Sequence, residues 1–576
     1  MASSCTPTTT GFASTSGVSV TSNFMGWYDI LDFASGYPTG ATADTTVWVQ
    51  TAINTAIRDQ RPLYFTPRPF YISGSIVASG PIALLGVASN LDSFTQDGSG
   101  NVLTCGSASF VTADGGLEML CITSDDVSIE NINFIVLPGS GTGGRAIHAL
   151  NCNNTSISNV SIIGARDGIL LDSASNVVIE DVLIVPAAAS GTSVQRYGIK
   201  ADGLNAFTSG ASAGPCLVVN AVVDQTVYPF SPPTATVPHI VAAFVVDNGY
   251  EAMACRSCDA RGALYGFRAQ NSSSISGQGS TFEVTFSRSY DCTTAVAVIA
   301  GATALIQDCM FDTDSTVGIA PSGSPNRGVY IESTFGGTAA LSNNVVFGNH
   351  SSMVGIDLEG TGEIALNGGA VLNCGSPSTT GGRGDGVYLS TAVSGAVYTV
   401  NGLVVRGCSV AGVRVDSQHV GSTTLTAVSA IGNHSSTTTP AYGLLIGQPA
   451  RNVVPGLLIV DGCNFSGNDV AVSDGSAAIT GTVAPSRKIA NSIGYNPAIS
   501  GSWTLLNPGP STVFNNTGVD QYAYISGYPG KVALQVAGMS VTGIGTVPGV
   551  FGVPNTVGIS VSTTGLILEH WKWLGN

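Results

Sequence analysis

The sequence predicts an all-β chain folded as a right-handed parallel β-helix, a solenoid whose successive coils stack on one another. Charged residues make up only 10% of the 576 residues, against roughly 25% in average soluble domains. Glycine is abundant, with 73 copies, and short runs alternate apolar with polar residues, which is typical of strands joined by turns. A short phrase that begins with glycine also recurs at intervals of roughly 30 residues or twice that, as in a solenoid.

The recurring phrase carries apolar residues one and three positions after its glycine. Because side chains alternate between the two faces of a strand, these positions face the core and positions two and four face outward. Degenerate copies at 242–246 and 295–299 fill the two long intervals. The full copies begin at Gly168, Gly198, Gly266, Gly328, Gly355, Gly386, Gly412 and Gly443.

A second strand type lies between these phrases, at 155–162, 176–182, 304–311 and 458–465. Each copy has Asn, Asp or Gly between two short apolar alternations, and Asn and Gly tolerate the left-handed angles of a tight corner. One coil therefore holds two or three strands, and stacked coils lie about 4.8 Å apart. A set of β-hairpins is the less favoured alternative, because Asn-Gly and Asp-Gly turns do not predominate between the strands.

Three regions are expected along the chain. Residues 1–27 form a Ser/Thr-rich N-terminal arm, 28–484 form the β-helix, and 485–576 form a separate antiparallel, β-sandwich-like domain. That last region alternates apolar and polar residues between 507 and 573. Trp571 and Trp573 share one strand face there, where a packed core or a subunit contact is favoured over a sugar-stacking platform.

Composition argues against several classes of protein. The net charge of -16 does not suit a nucleic-acid binder, and the absence of an apolar run of about 20 residues predicts no membrane span. The first residues have neither the basic nor the apolar region of a signal peptide.

Neither a cofactor nor a metal ion is expected. Cys255 and Cys258 lack a second Cys pair, so reduced core thiols are favoured over a zinc site. The histidines have no repeated spacing and are expected in loops rather than as ligands; they include His148, His350, His419 and His434.

The N-terminal part resembles the pectate-lyase superfamily of β-helices. The run 28–34 with 44–46 is similar to their opening, 49–56 to their capping helix, and 62–67 with 70–72 to the "φxφPxGxYxI" motif that leads into the first coil. Leu84-Leu85-Gly86 matches the following turn, whereas Arg68-Pro69 stands where the family has Gly. The resemblance covers roughly residues 28–480 and implies a capping helix near 47–58.

That family includes secreted pectinases and bacteriophage tailspikes, and the missing signal peptide favours the tailspike branch. The resemblance implies a homotrimeric virion protein that assembles in the host cytoplasm. It further implies binding to a host surface polysaccharide, either capsule or lipopolysaccharide, and contact with phage tail or capsid proteins through the N-terminus. The short arm leaves the mode of attachment open.

Polar residues at the outward positions of the phrase form the candidate site. Glu332, Asp357 and Glu359 are the candidate catalytic carboxylates, because glycoside hydrolysis needs a protonated acid and a carboxylate about 5 to 9.5 Å apart. Clustering raises the pKa of one carboxyl and so supplies the acid. The candidate substrate-binding residues, which would stack on or hold sugars, are Tyr330, Tyr388, Arg414 and Arg268.

Several interpretations of this face stay open. It is a binding groove, a solvated surface, or a surface covered by neighbouring chains in a trimer. Three kinds of protein fit these interpretations: a tailspike that binds a polysaccharide, with or without depolymerising it; a non-enzymatic fibre or adhesin; and a free lyase or hydrolase. Hydrolysis is favoured over elimination. A lyase needs a Lys or Arg beside a calcium-binding cluster of carboxylates, and Lys200 with Asp202 matches that arrangement only in part.

Overall fold

The structure is a computed structural model of the full chain. It describes residues 26–36, 42–87, 95–96, 102–104, 106–137, 144–186, 196–204, 213–226, 241–272, 280–301, 303–313, 326–348, 353–375, 383–436, 439–447, 456–474 and 487–495, and the backbone of seven strands between 511 and 574. Most of the predicted arm at 1–27 lies outside the described residues. The chain divides into two compact units, residues 1–329 and 330–576.

The unit 1–329 begins with a cap over the first coils. A 3₁₀ helix at Ile30–Gly36 leads to the α-helix Thr46–Arg58, whose inner side buries Trp48, Val49, Ala52, Ile53 and Ala56. The indole nitrogen of Trp48 donates to the carbonyl of Phe33 at 2.6 Å. The predicted capping helix near 47–58 is confirmed, and it covers the apolar core at this end of the unit.

Three parallel sheets follow, and each coil visits sheet 1, sheet 2 and sheet 3 in turn. In the unit 1–329, sheet 1 holds Tyr28–Asp29, Leu63–Tyr64, Ile82–Leu85, Val127–Glu130, Ser156–Ser158, Val177–Glu180, Cys216–Val219, Ala252–Arg256, Thr281–Thr285 and Thr303–Gln307. Sheet 2 holds Pro69–Tyr71, Ala108–Thr112, Ile132–Val136, Ser161–Ile163, Leu183–Val185, Val222–Asp224, Asp259–Arg261, Arg288–Tyr290 and Met310–Asp312. Sheet 3 holds Ile76–Ala78, Leu120–Ile122, Arg145–Leu150, Asp167–Asp172, Tyr197–Asp202, Ala242–Asp247, Tyr265–Ala269 and Thr294–Val298. A short antiparallel pair, Thr95–Gln96 with Val102–Thr104, lies outside the three sheets.

The unit 330–576 has the same three kinds of sheet. Strand Asn326–Ile331 of sheet 3 crosses the division between the units. In this unit sheet 1 holds Thr338–Ser342, Glu363–Asn367, Val397–Asn401, Ser422–Thr426, Leu458–Asp461 and Arg487–Ala490. Sheet 2 holds Val345–Phe347, Ala370–Leu372, Val404–Arg406 and Ser429–Ala430, and sheet 3 holds Met353–Leu358, Gly384–Leu389, Ala411–Val415, Tyr442–Ile446 and Val470–Asp474. The prediction of a right-handed parallel β-helix is confirmed.

The C-terminal strands are antiparallel, as the alternating sequence predicts. One sheet has the order Ser511–Phe514, Gly558–Thr564, Lys531–Val536, Met539–Val541, and the other Gly549–Val553, Gln521–Gly527, Leu568–Leu574. Trp571 and Trp573 lie in the last of these strands. Parallel pairing of sheet 1 extends to Arg487–Ala490, beyond residue 484, and the first of the C-terminal antiparallel strands that the structure describes begins at Ser511. The domain boundary at 484/485 stays a prediction.

Single residues in left-handed backbone conformation make the corner between sheets 1 and 2. Asn131 has φ 61° and Asn159 has φ 50°, and the Asn159 amide donates to the Asn131 side chain one coil away. Equivalent corners are made by Asp181, Asn220, Ser257, Phe286, Asp308, Asn343, Gly368, Gly402, Ala427 and Gly462. The predicted use of Asn, Asp and Gly at corners is therefore confirmed, with Ser, Phe and Ala as exceptions.

No helix within the described ranges combines the length and the hydropathy that a bilayer crossing requires.

Candidate functional site

The glycine of the recurring phrase is required by close packing inside the coil. A Cβ added to Gly355 would lie 2.3 Å from Val371 Cγ1, and one added to Gly386 would lie 2.3 Å from Val405 Cγ1. Both distances are far below van der Waals contact. The glycine position therefore points into the core, as does the residue that follows it: Val387 is fully buried.

The glycine and the residue after it both face the core, and this breaks the strict alternation of the strand. In the pairing of neighbouring strands, Val354 lies opposite Asp385 and Ile356 opposite Val387, and the glycines between them form no pair. The residue before the glycine is thereby placed on the outward side together with positions two and four. A strict alternation of faces along the strand would place that residue inside. A prediction based on strict alternation therefore does not find this row of side chains.

A row of polar side chains crosses sheet 3 in the unit 330–576. Asp357 pairs with Tyr388, and Tyr388 pairs with Arg414, in three successive strands. Asp385 lies on the same side, because its Oδ2 is 3.6 Å from Nη1 of Arg414. Neighbouring strands are about 4.8 Å apart, so these groups form a continuous row of polar side chains, most of them buried.

Tyr388 is the centre of this row, held between two guanidinium groups. The Cζ atoms of Arg383 and Arg414 lie 4.6 Å and 5.5 Å from its ring centroid, within the range of cation–π attraction. Its hydroxyl donates to Asp416 Oδ2 at 2.8 Å. Burial, followed by this bond to a carboxylate, raises the pKa of Tyr388. The residue is 6% exposed, so its ring meets arginine rather than solvent.

Two aspartates of the row, Asp357 and Asp385, are fully buried. Asp357 Oδ2 lies 3.9 Å from Nη1 of Arg383, and neither Asp357 nor Asp385 has any exposed surface. Burial raises the pKa of Asp385 to about 6, while Arg414 and Arg383 oppose the shift. Each carboxylate faces an arginine at a distance longer than a hydrogen bond, and this opposite charge offsets part of the cost of burial.

The more accessible acids lie at the ends of two neighbouring strands. Glu332 follows strand Asn326–Ile331 and Glu359 follows strand Met353–Leu358, and both are partly exposed. The Glu359 amide donates to the Ile331 carbonyl at 2.8 Å, which aligns the two strand ends. The hydroxyl of Tyr330 donates to Glu359 Oε2 at 3.2 Å. The structure thus brings Tyr330 and Glu359 together as a hydrogen-bonded pair.

Arg268 belongs to the other unit, 1–329. Its Cζ lies 4.3 Å from the ring centroid of Tyr265, which again occupies the position before the glycine. A charge network that includes the fully buried Asp247 lies on the same sheet: Lys200 Nζ is 2.8 Å from Asp202 Oδ2 and 3.0 Å from Asp247 Oδ2. Lys200 and Asp202 therefore satisfy one another.

Two members of the polar row, Asp385 and Arg383, were not predicted from the sequence. The signal that could have found Asp385 is the glycine itself, because a fixed glycine inside an alternating strand often marks an irregularity that re-aims its neighbours. The expectation that His148 is a loop residue is wrong, because it lies within strand Arg145–Leu150 and is 7% exposed. His350 lies outside the described residues.

No protein-family model matches the chain, and a comparison with curated protein sequences gives no match. Solved structures do share its fold. A variant of the tailspike protein of E. coli bacteriophage HK620 gives a TM-score of 0.52 at 13% identity, covering 96% of this chain and 94% of that chain. A second variant of the HK620 tailspike, in complex with pentasaccharide, gives 0.50 at 12% identity over 96% and 94%.

A surface adhesin of Streptococcus pneumoniae, PfbA, gives a TM-score of 0.43 at 11% identity, covering 76% of this chain and 94% of that chain. At such identities the likeness to the HK620 tailspike concerns the fold. The chain therefore has a tailspike-like right-handed parallel β-helix, as the resemblance of its N-terminal motifs predicts.

Proposed function

We propose that the chain is a bacteriophage tailspike, a homotrimeric virion protein that binds a host surface polysaccharide, either capsule or lipopolysaccharide. The bound polymer lies along the outward face of sheet 3 in the unit 330–576. The tailspike-like fold supports the proposal by analogy, and one tailspike of that fold was solved in complex with pentasaccharide. Attachment to phage tail or capsid proteins is assigned to the N-terminal arm, 1–27.

The observation that carries this proposal is the ordered row around Tyr388. Arg383 is 39% exposed at its side chain, while Tyr330 and Glu359 are partly exposed and already hydrogen-bonded to each other. Tyrosine, arginine and carboxylate groups held in fixed geometry supply the directional donors and acceptors that sugar hydroxyls need. Groups that already contact one another lose less conformational entropy on binding than isolated side chains do.

Cleavage of the bound polysaccharide is a second candidate activity. Glu332, Asp357 and Glu359 are the acids that would carry it, as a proton donor and a carboxylate. Asp357 is fully buried beside Arg383 and therefore acts as a positioning residue. Glu332 and Glu359 are the acids that would contact the substrate. A non-enzymatic fibre or adhesin would use the same surface without this step.

Binding of purified full-length chain to host capsule and to lipopolysaccharide tests the proposal, with surface plasmon resonance as the measurement. Arg383→Gln removes a partly exposed charge from the row and should weaken binding roughly tenfold, equivalent to about 1.4 kcal/mol. The matched control is Arg406→Gln, an exposed arginine of sheet 2 in the same unit, which should leave binding unchanged. Equal loss in both variants would refute the assigned face.

Release of oligosaccharides from the same polysaccharides distinguishes binding from cleavage. Glu332→Gln and Glu359→Gln should abolish release while the protein still binds. If the unaltered protein binds and releases nothing, the cleavage proposal fails and the fibre or adhesin remains. A product with a terminal unsaturated sugar would instead identify a lyase.

A further inference from the structure

A cluster of metal-type donors lies on sheet 3 of the unit 1–329. Cys121 and His148 are opposite one another in the neighbouring strands Leu120–Ile122 and Arg145–Leu150. Glu118 lies just before the first of these strands. One donor atom from each residue lies within 4.8 Å of the corresponding atoms of the other two. The register of the coil, rather than a sequence motif, creates this cluster.

The spacing of these atoms suits direct coordination of one ion. His148 Nδ1 and Glu118 Oε2 are 3.2 Å apart. Two ligands that each lie about 2.0 to 2.1 Å from a tetrahedral zinc ion are roughly 3.3 Å from each other. A sulfur-to-oxygen edge of such a tetrahedron is about 3.5 Å, and the three donor atoms lie within 4.8 Å of one another. Coordination would therefore draw the donor atoms closer together.

Charged residues lie next to two of the three ligands, Glu118 and His148, as is usual around a bound metal ion. Arg145 Nη1 lies 2.5 Å from Glu118 Oε1 and leaves Oε2 to face His148. The other ring nitrogen of His148, Nε2, is buried and has no hydrogen-bond partner among the described residues; Asp172 Oδ2 lies 3.8 Å from it. A carboxylate behind the second nitrogen of a metal-bound histidine orients the ring.

We propose that Glu118, Cys121 and His148 bind a zinc ion, with a water molecule in the fourth position. A thiolate with an imidazole selects zinc over calcium or magnesium, which prefer oxygen ligands. The carboxylate and the thiolate balance the charge of the ion. Glu118 and Cys121 are partly exposed, so the ion and its water would be reached from solvent.

Cobalt(II) is a suitable probe because its bond to a thiolate absorbs strongly in the near ultraviolet. Tag-free, full-length protein would be stripped with a chelator and titrated with cobalt(II) alone. The expected result is one cobalt per chain, with a thiolate-to-cobalt band that zinc(II) displaces. Metal analysis after dialysis against zinc(II) should likewise give one equivalent.

Variants then assign the band to these residues. Cys121→Ser should abolish it, and His148→Gln should weaken cobalt binding at least tenfold. The control is Cys152→Ser, a buried thiol whose Sγ contacts Thr155, which should keep the band. Asp172→Asn leaves all three ligands in place and should lower affinity about 10- to 100-fold.

Circular dichroism checks that each variant folds. If Cys121→Ser does not fold, Glu118→Gln provides a further test, because the Glu118 side chain is 36% exposed. Substoichiometric binding by the unaltered protein would overturn the proposal. A band that survives Cys121→Ser, or that disappears with Cys152→Ser, would overturn it equally.

Discussion

Removal of the charge on Asp385 should stabilise the protein at neutral and alkaline pH. The residue is fully buried, and burial raises its pKa from 3.8 to about 6 against the opposing effect of Arg414 and Arg383. An upward shift means that the folded state binds the proton more tightly than the unfolded state does. The free energy of unfolding therefore falls as pH rises from about 4 to 6, and stays lower above that range.

The size of the effect follows from the shift in pKa. A shift of roughly two units corresponds to about 3 kcal/mol, at 1.36 kcal/mol per unit. Asp385→Asn imitates the protonated carboxyl in shape and charge. The variant should therefore be more stable than the unaltered protein by up to about 3 kcal/mol at pH 8, and the gain should disappear as pH approaches 3.8.

Urea-induced unfolding of both proteins at several pH values measures this difference. Subtraction of the two curves cancels the titration of the other carboxyl groups, which they share. Glu363→Gln, an exposed carboxylate of sheet 1 in the same unit, is the matched control and should change stability by less than about 0.5 kcal/mol. If Asp385→Asn is less stable at pH 8, the attraction between Asp385 and Arg414 outweighs burial, and the reasoning is refuted.

Substitutions at three further positions test the fold by the same unfolding measurement. Tyr388→Phe deletes the hydrogen bond to Asp416 and should cost about 1.5 to 3 kcal/mol; no loss would show that the bond is not formed. Asn159→Ala forces alanine into a left-handed corner and should cost about 1 to 2 kcal/mol, whereas Asn159→Gly should cost less, and the reverse order would contradict the corner assignment. Phe267→Ala empties a fully buried position and should cost about 3 to 5 kcal/mol; a smaller loss would mean that the core collapses around it.

The fold could be predicted because its determinants are local. The apolar residues one and three places after each glycine, such as Ile356 and Leu358, are buried, and corner residues such as Asn131 have left-handed angles. Each of these features follows from a few adjacent residues and from the two-residue period of a strand. The capping helix was predicted from the resemblance of residues 49–56 to the pectate-lyase superfamily, and the structure shows the helical spacing of its buried residues, among them Val49, Ala52 and Ala56.

The candidate site was predictable only in part, because it depends on irregularities and on register. The inward glycine places Asp385 outside, which a strict period of two does not allow. Burial also differs between residues at equivalent positions: Asp357 is fully buried whereas Arg414 is 14% exposed at its side chain. The meeting of Cys121 with His148 depends on the length of one irregular coil, and no local pattern encodes that length.

The location of bound sugar decides whether the outward face of sheet 3 binds polysaccharide. A crystal structure of the chain with an oligosaccharide derived from the host capsule or lipopolysaccharide would show that location. We expect sugar on the outward face of sheet 3 in the unit 330–576, in contact with Tyr330, Glu359 and Arg383. Sugar bound to sheet 1 or sheet 2, or to the C-terminal strands alone, would contradict it.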